Sequence, residues 1–222
     1  MGDSSSMTQR ASGAVEDKSK FILASASPRR RELLSAMGIN FTVLPADIDE
    51  TRLSGELAEA YVLRLATEKV RVIAEQNPQA FVLGADTTVV LEAEGSSPER
   101  ILEKPVDKAD ACAMLRALQG RSHIVLTAFA ICSVAEKIKS SRVVRSQVWF
   151  SQLDEQTIQE YVRSGEPMDK AGAYGVQGIG SAFVERIEGS YTNVVGLPLS
   201  ELLSELRKFG IWTPTDIPTV AR

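Results

Sequence analysis

The sequence predicts a mixed α/β fold in which helices flank one elongated, mixed β-sheet. Three observations lead there. Short apolar runs of strand character mostly precede segments of helical spacing, the pattern of β-then-α units. Hairpin-like pairs of runs interrupt that alternation, so the sheet is not purely parallel. The length of 222 residues fits one domain, or two lobes sharing one sheet.

Residues 1–20 are polar and aperiodic and are expected to form a flexible tail. Within them, Gly2 followed by Ser6 meets a loose myristoylation pattern that a Ser-rich leader satisfies easily by chance, and Met7 is an alternative start. FILAS, residues 21–25, reads as a buried strand. A helix follows, with Ser27 as N-cap, Pro28 at the first helical position, Leu33, Leu34 and Met37 at helical spacing, and Gly38 ending it. INFTVLP is a second strand. Residues 56–76 are helical, with Leu57, Tyr61, Leu65 and Val72 near one face.

Residues 81–92 read as a long strand, and a Gly-Ser-Ser-Pro turn leads into ILEKP as its hairpin partner. Residues 107–119 form a helix stopped by Gly120. HIVLTAFAICSV and VVRSQVWFSQL are two antiparallel strands joined by a charged turn. Residues 154–164 are a helix with Asp154 as N-cap and Gly165 at its end. A Gly-rich loop, GAYGVQGIG, then a strand, SAFVERIE, and a last helix over 199–209 complete the main domain, residues 21–210. The Pro-containing tail, 211–222, is expected to fray, and no internal repeat is present.

The apolar fraction of 44% and charged fraction of 24% suit an ordinary globular core. A net charge of −4 argues against broad capture of nucleic acid, though not against a local phosphate pocket. Cys112, Cys132 and the single histidine, His123, are poor material for a disulfide framework or a zinc site. No apolar run approaches the roughly 18–20 residues needed to span a bilayer, and the N-terminus is too polar for a signal peptide. The expected setting is the cytoplasm, without membrane or nucleic-acid partners.

Four places could carry chemistry. SASPRRR lies at a strand-to-helix junction, where free N–H groups and the helix dipole favour an anion. The arginines there are either merely solvated or aimed at phosphate, and three cations in a first turn oppose the dipole unless an anion binds. Asp86, in GADTTVVL, is costly inside an apolar strand unless it is paired, metal-bound or lining a cleft. Glu50, Lys69 and Lys104 are each ordinary surface charges unless the fold gathers them around Asp86. EPMDKAGAYGVQGIG is either a flexible surface loop or a wall presenting Tyr174 and Gln177 to a base or sugar. A G-x-x-x-x-G-K-[ST] loop, a G-x-G-x-x-G turn and a G-x-S-x-G elbow are all absent, so a nucleotide enzyme here must use another scaffold.

At these places the chain resembles the Maf family of nucleotide pyrophosphatases. The likeness runs through LASASPRRRELL, Asp49-Glu50, RLATEK, GADTTVV, LEKP, SGEPMDKAGAYGVQG and EGSYTNVVGLPL, spanning residues 21–209. The resemblance implies a two-lobed fold around an elongated mixed sheet, related to inosine triphosphatases, with substrate in the cleft. It implies hydrolysis of a nucleoside triphosphate to monophosphate and pyrophosphate with magnesium or manganese, a house-cleaning role, and a homodimer. Asp86 matches the proton acceptor and Glu50 a second acidic residue, and both are expected metal partners. Ser25, Arg30, Lys69 and Lys104 match phosphate-holding positions, and Arg29, Thr87 and Gln177 match those associated with substrate choice. Thr87 directly after Asp86, with DKAGAY followed by Gln177, sides with the branch acting on dTTP and UTP. The 7-methyl-GTP branch typically has glutamine after the aspartate. Modified pyrimidine triphosphates are further expected substrates. The family is also linked to inhibition of septum formation, so the alternatives are a non-catalytic nucleotide-binding regulator of cell division and a 7-methyl-GTP-type specificity. The turn AEGSSPER is a departure that lengthens a hairpin loop.

Overall fold

A computed structural model of the protein describes residues 20–92 and 99–219. The expectations for Gly2, Ser6, Met7 and the Gly-Ser-Ser-Pro turn lie outside them. The strands are β1 (Phe21–Leu23), β2 (Thr42–Val43), β3 (Phe81–Leu91), β4 (Arg100–Leu102), β5 (Ser122–Ser133), β6 (Ile138–Phe150) and β7 (Val184–Glu188). The helices are α1 (Pro28–Ala36), α2 (Ala58–Gln76), α3 (Lys108–Leu118), α4 (Glu155–Arg163), α5 (Tyr191–Val195) and α6 (Leu199–Lys208).

One seven-stranded sheet runs in the order β2-β1-β3-β5-β6-β7, with β4 also paired to β3. The β1 pairings are parallel, whereas β3–β4, β3–β5, β5–β6 and β6–β7 are antiparallel. The mixed α/β architecture expected from the hairpins is therefore present. β5 covers one edge of β3 from Val82 to Val90. The opposite edge is shared: β1 takes Phe21↔Phe81 to Leu23↔Leu83, and β4 takes Val89↔Leu102 to Leu91↔Arg100. Among the described residues, no strand pairs with that edge between Leu83 and Val89, and a cleft opens there.

Side chains alternate across the sheet, so each strand feeds two cores. On one face, Ile22, Val82, Val90, Leu126 and Ala128 pack under Val62, Leu65, Ala66 and Ile73 of α2. Close packing is possible because position 84 is glycine: a Cβ there would stand 2.8 Å from both the Ala66 carbonyl oxygen and Val70. The other face carries two separate cores. Leu23, Leu83, Ala85, Phe129 and Ile131 join Leu34 of α1 and Leu202 and Leu206 of α6. Val89, Leu91, Val125, Val148 and Phe150 join α3 and α4 through Leu115, Leu118, Ile158 and Tyr161. Thr87 of β3 and Thr127 of β5 are register partners at the seam between these two lobes.

The local signals act as expected at most helix ends. Ser27, Asp107 and Asp154 accept hydrogen bonds from the backbone N–H groups of Arg30, Asp110 and Thr157. Such a cap is worth about 1 kcal/mol.

Several expectations need correction. Leu57 precedes α2 and is 65% exposed, and the buried face instead follows Tyr61, Val62, Leu65, Lys69 and Ile73. The run at 39–45 yields only two strand residues, and residues 179–183 form a 3-10 turn before β7 begins at Val184. β6 starts at Ile138, earlier than the apolar run suggested, because its pairing continues down the full length of β5. The short helix α5, inside SYTNVVG, carries no amphipathic signal; it is capped by Ser190 and anchored by the buried Asn193. Residues after α6 do not simply fray: Trp212 is buried and its Nε1 donates to the Met37 carbonyl at 3.0 Å.

Candidate active site

The cleft at the open edge of β3 has a volume of about 620 Å³, within the range of small-molecule sites, roughly 300–1,000 Å³. All nine residues singled out from the sequence line it: Ser25, Arg29, Arg30, Glu50, Lys69, Asp86, Thr87, Lys104 and Gln177. They come from six separate stretches of chain, brought together because β1, β3 and β4 meet at this gap.

Adjacent residues of a strand point to opposite faces, so Asp86 and Thr87 face different sides of the sheet. Asp86 faces α2. Lys69, on the buried stripe of that helix, sets its Nζ 2.7 Å from Asp86 Oδ1 and 2.6 Å from Glu50 Oε1. One ammonium thus bridges two carboxylates, and each carboxylate keeps a second oxygen without a hydrogen-bond partner among the described residues. Burial lifts the Asp86 carboxyl above the ordinary aspartate range, while Lys69 and Arg30 pull against that rise. For half-buried Glu50, burial also pushes upward, but the Lys69 hydrogen bond and the charges of Lys69, Lys104 and Arg30 outweigh it, leaving a lowered pKa. Lys104, just after β4, is exposed along the cleft wall.

Sequence reasoning missed Tyr61 and Glu103 on this side. The Tyr61 hydroxyl lies 2.6 Å from Glu103 Oε1 and 2.9 Å from the Glu50 carbonyl oxygen. A phenol has one proton, so these acceptors share it, and the contact holds the Glu50 segment against α2. Tyr61 was legible only as a core position.

Thr87 faces the seam on the other side. Arg30 is buried and fully anchored: Nε donates to the Gly196 carbonyl at 2.9 Å, one terminal nitrogen to Ser25 Oγ at 3.0 Å, and the other to Thr87 Oγ1 at 3.0 Å. The cluster of arginines resolves into three fates: Arg30 is buried, Arg29 pairs with Asp169 at 3.1 Å, and Arg31 is exposed. Three of the five N–H groups of its guanidinium thus have partners among the described residues. The Gly-rich loop seals this side. Gly172 has φ of +70°, and a Cβ there would meet Val89 Cγ2 at 2.8 Å, so the loop backbone lies directly on β3. Gln177 is exposed on that loop at the cleft, and its amide makes no hydrogen bond among the described residues.

His123 takes no part in the cleft. It is buried, its Nε2 is 2.8 Å from the Tyr174 hydroxyl, and burial depresses its pKa to about 3. The imidazole therefore stays apart from the cleft, whereas Asp86 is a buried carboxyl that lines it. Among the described residues, no group of three or more His, Cys, Asp or Glu side chains forms a ready-made metal cage. Nor is any described helix long and apolar enough to cross a membrane.

With this geometry in view, the comparisons with known proteins are informative. The chain is 50% identical over 198 residues to a dTTP/UTP pyrophosphatase of Myxococcus xanthus (strain DK1622), covering 89% of this chain and 96% of that protein. It is 50% identical over 195 residues to a dTTP/UTP pyrophosphatase of Hahella chejuensis (strain KCTC 2396), covering 86% and 93%. Among solved structures, the Staphylococcus aureus Ham1 protein aligns with a TM-score of 0.40 and 15% identity, over 74% of this chain and 79% of that one. The family profile described as Maf-like protein matches residues 20–209. The chain belongs to the Maf family.

Proposed function

We propose that this protein hydrolyses dTTP and UTP to the monophosphate and pyrophosphate, clearing these nucleotides in the cytoplasm. The observation that carries this reading is the Asp86–Lys69–Glu50 cluster at the unpaired edge of β3, in which Asp86 and Lys69 are buried and Glu50 faces the open cleft. A raised carboxyl pKa beside fixed cations is what a base for water attack on a polyanion requires. A protein that only binds nucleotide has no use for that costly arrangement.

The substrate lies across the edge of β3. Its phosphates meet Lys69, Lys104, Arg30 and Ser25, and its base reaches the seam lined by Thr87, Arg29 and Gln177. Asp86 accepts the proton of a water attacking the α-phosphorus, and the cations stabilise charge building on the pyrophosphate leaving group.

Glu50 and Asp86 fit a divalent ion such as magnesium or manganese. Two carboxylates already surround one cationic group, and magnesium commonly takes one or two carboxylates plus phosphate oxygens and water. When bound, the ion would neutralise phosphate charge and lower the pKa of water.

Gln177 offers an amide N–H donor to the O4 carbonyl shared by uracil and thymine, where cytosine carries an amino group instead. Pyrophosphate release from a panel of nucleoside triphosphates tests the reading. Wild type is expected to act on dTTP and UTP far better than on CTP or 7-methyl-GTP. Gln177→Ala is expected to lose roughly 10-fold of the UTP-over-CTP preference while kcat on UTP changes less, because the missing contacts serve recognition. Release from 7-methyl-GTP alone, or from no nucleotide, would refute the assignment.

A further inference from the structure

We infer that Thr127, a buried residue outside the set above, acts as a positioning residue that fixes the direction of the Thr87 hydroxyl and makes it an obligate hydrogen-bond acceptor toward the substrate. The inference rests on the dTTP/UTP reading and deepens it.

The argument follows protons. Thr127 on β5 is fully buried, and its Oγ1 lies 2.8 Å from the Asn193 carbonyl oxygen of α5. A carbonyl only accepts, so the single Thr127 proton is committed there. Thr127 Oγ1 also lies 3.0 Å from Thr87 Oγ1. One of two hydroxyls in contact must donate, and since the Thr127 proton is spent, Thr87 donates. Thr87 Oγ1 in turn accepts from Arg30 at 3.0 Å. The other acceptor near Thr87 is the Gly196 carbonyl at 3.5 Å, a longer and weaker contact than the 3.0 Å to Thr127. Donation therefore runs one way, from Arg30 to Thr87 to Thr127 to the Asn193 carbonyl.

Asn193 makes a stable end to this chain. It is fully buried, and its Nδ2 donates to the Val125 carbonyl at 3.1 Å and to Ser146 Oγ at 3.0 Å. These bonds hold α5 against β5 and β6 and fix the terminal acceptor in place.

The consequence lies in the cleft. Thr87 is partly exposed and lines the cavity, but its proton points inward, leaving one lone pair for a ligand. The site demands a donor at that point. A uracil or thymine nucleotide has one N–H donor on its base, the imide N3–H. Cytosine presents a lone pair at the same ring position, so two lone pairs would face each other with no water between them. A threonine free to turn would serve either base. Locking it through Thr127 converts an indifferent hydroxyl into a selective one, since leaving buried polar groups unpaired is how such sites reject analogues.

The test is the kcat/KM ratio of UTP to CTP in wild type, Thr127→Val and Thr127→Ser. Valine keeps the shape and removes the acceptor. The ratio is expected to fall about 10-fold or more, mainly through better use of CTP, with kcat on UTP kept within a few-fold. Serine restores the acceptor and is expected to restore the ratio. If Thr127→Val does not fold, Thr127→Ala carries the same expectation. A merely structural role lowers both substrates together, so an unchanged ratio in the valine or alanine variant overturns the inference while the dTTP/UTP reading stands. The same result follows if the acceptor serves a sugar hydroxyl. A wild-type protein that does not distinguish UTP from CTP overturns both.

Discussion

Asp86→Asn is expected to abolish most turnover, by about 10²- to 10⁴-fold, the usual contribution of a positioned general base. The substitution is nearly isosteric. The amide oxygen can still accept from Lys69, whose Nζ lies 2.7 Å from Oδ1 in the wild type. Nucleotide affinity is expected to hold or tighten, because removing one negative charge from the cleft lessens repulsion of a triphosphate. Folding stability is expected to change little, since the variant loses both the cost of a buried carboxylate and its attraction to Lys69. Single-turnover hydrolysis, binding of a non-hydrolysable analogue and thermal unfolding separate these effects. Near-normal hydrolysis by a folded variant would remove Asp86 from its role.

Lys69→Met carries the second largest expected effect, and its sign comes from the same cluster. In the wild type, burial raises the Asp86 pKa, and the Lys69 charge and hydrogen bond partly offset that rise. Removing the ammonium deletes an effect that lowers the pKa and leaves Glu50, which raises it, as an unscreened neighbour. The Asp86 pKa in the variant must move further up. Because the base acts only when ionised, activity is lost as pH falls through that pKa, so the acid limb of kcat/KM shifts to higher pH. At the plateau, loss of a phosphate-facing cation is expected to cost about 100-fold. A variant with lowered activity but an unmoved acid limb would show that Lys69 does not set the protonation of Asp86.

Much of this site was readable before any coordinates. An aspartate in an apolar strand and arginines at a helix start both oppose a local preference, and such conflicts mark functional positions. The structure accounts for each: Asp86 has Lys69, and Arg30 has Ser25, Thr87 and the Gly196 carbonyl. Glu50, Lys69 and Lys104 had no such signal of their own, each being an ordinary surface charge unless the fold gathers it around Asp86, and Gln177 lies in a loop that local sequence reads equally as a flexible surface segment; the family resemblance gave these four their weight. The strand pairs were legible because β3, β5 and β6 are long and bounded by turn residues.

The losses have physical causes. Thr127 looked like one small residue in an apolar strand, and nothing local shows that its register partner is Thr87. Asn193 sits in a helix of five residues, too short for a periodic pattern. Leu57 looked like part of an apolar stripe, but it lies one residue before α2 and turns to solvent. Trp212 followed a helix stop and a proline was near, yet a single indole found a pocket against α1. Each was decided by contacts distant in sequence.

The most direct test of the account is where the water oxygen goes. If UTP is hydrolysed in ¹⁸O-water by the magnesium-loaded protein, attack at the α-phosphorus places the label in UMP and leaves the released pyrophosphate unlabelled. Label in the pyrophosphate, or release of orthophosphate with UDP, would contradict the central claim that this cleft directs a water activated by Asp86 at the α-phosphorus.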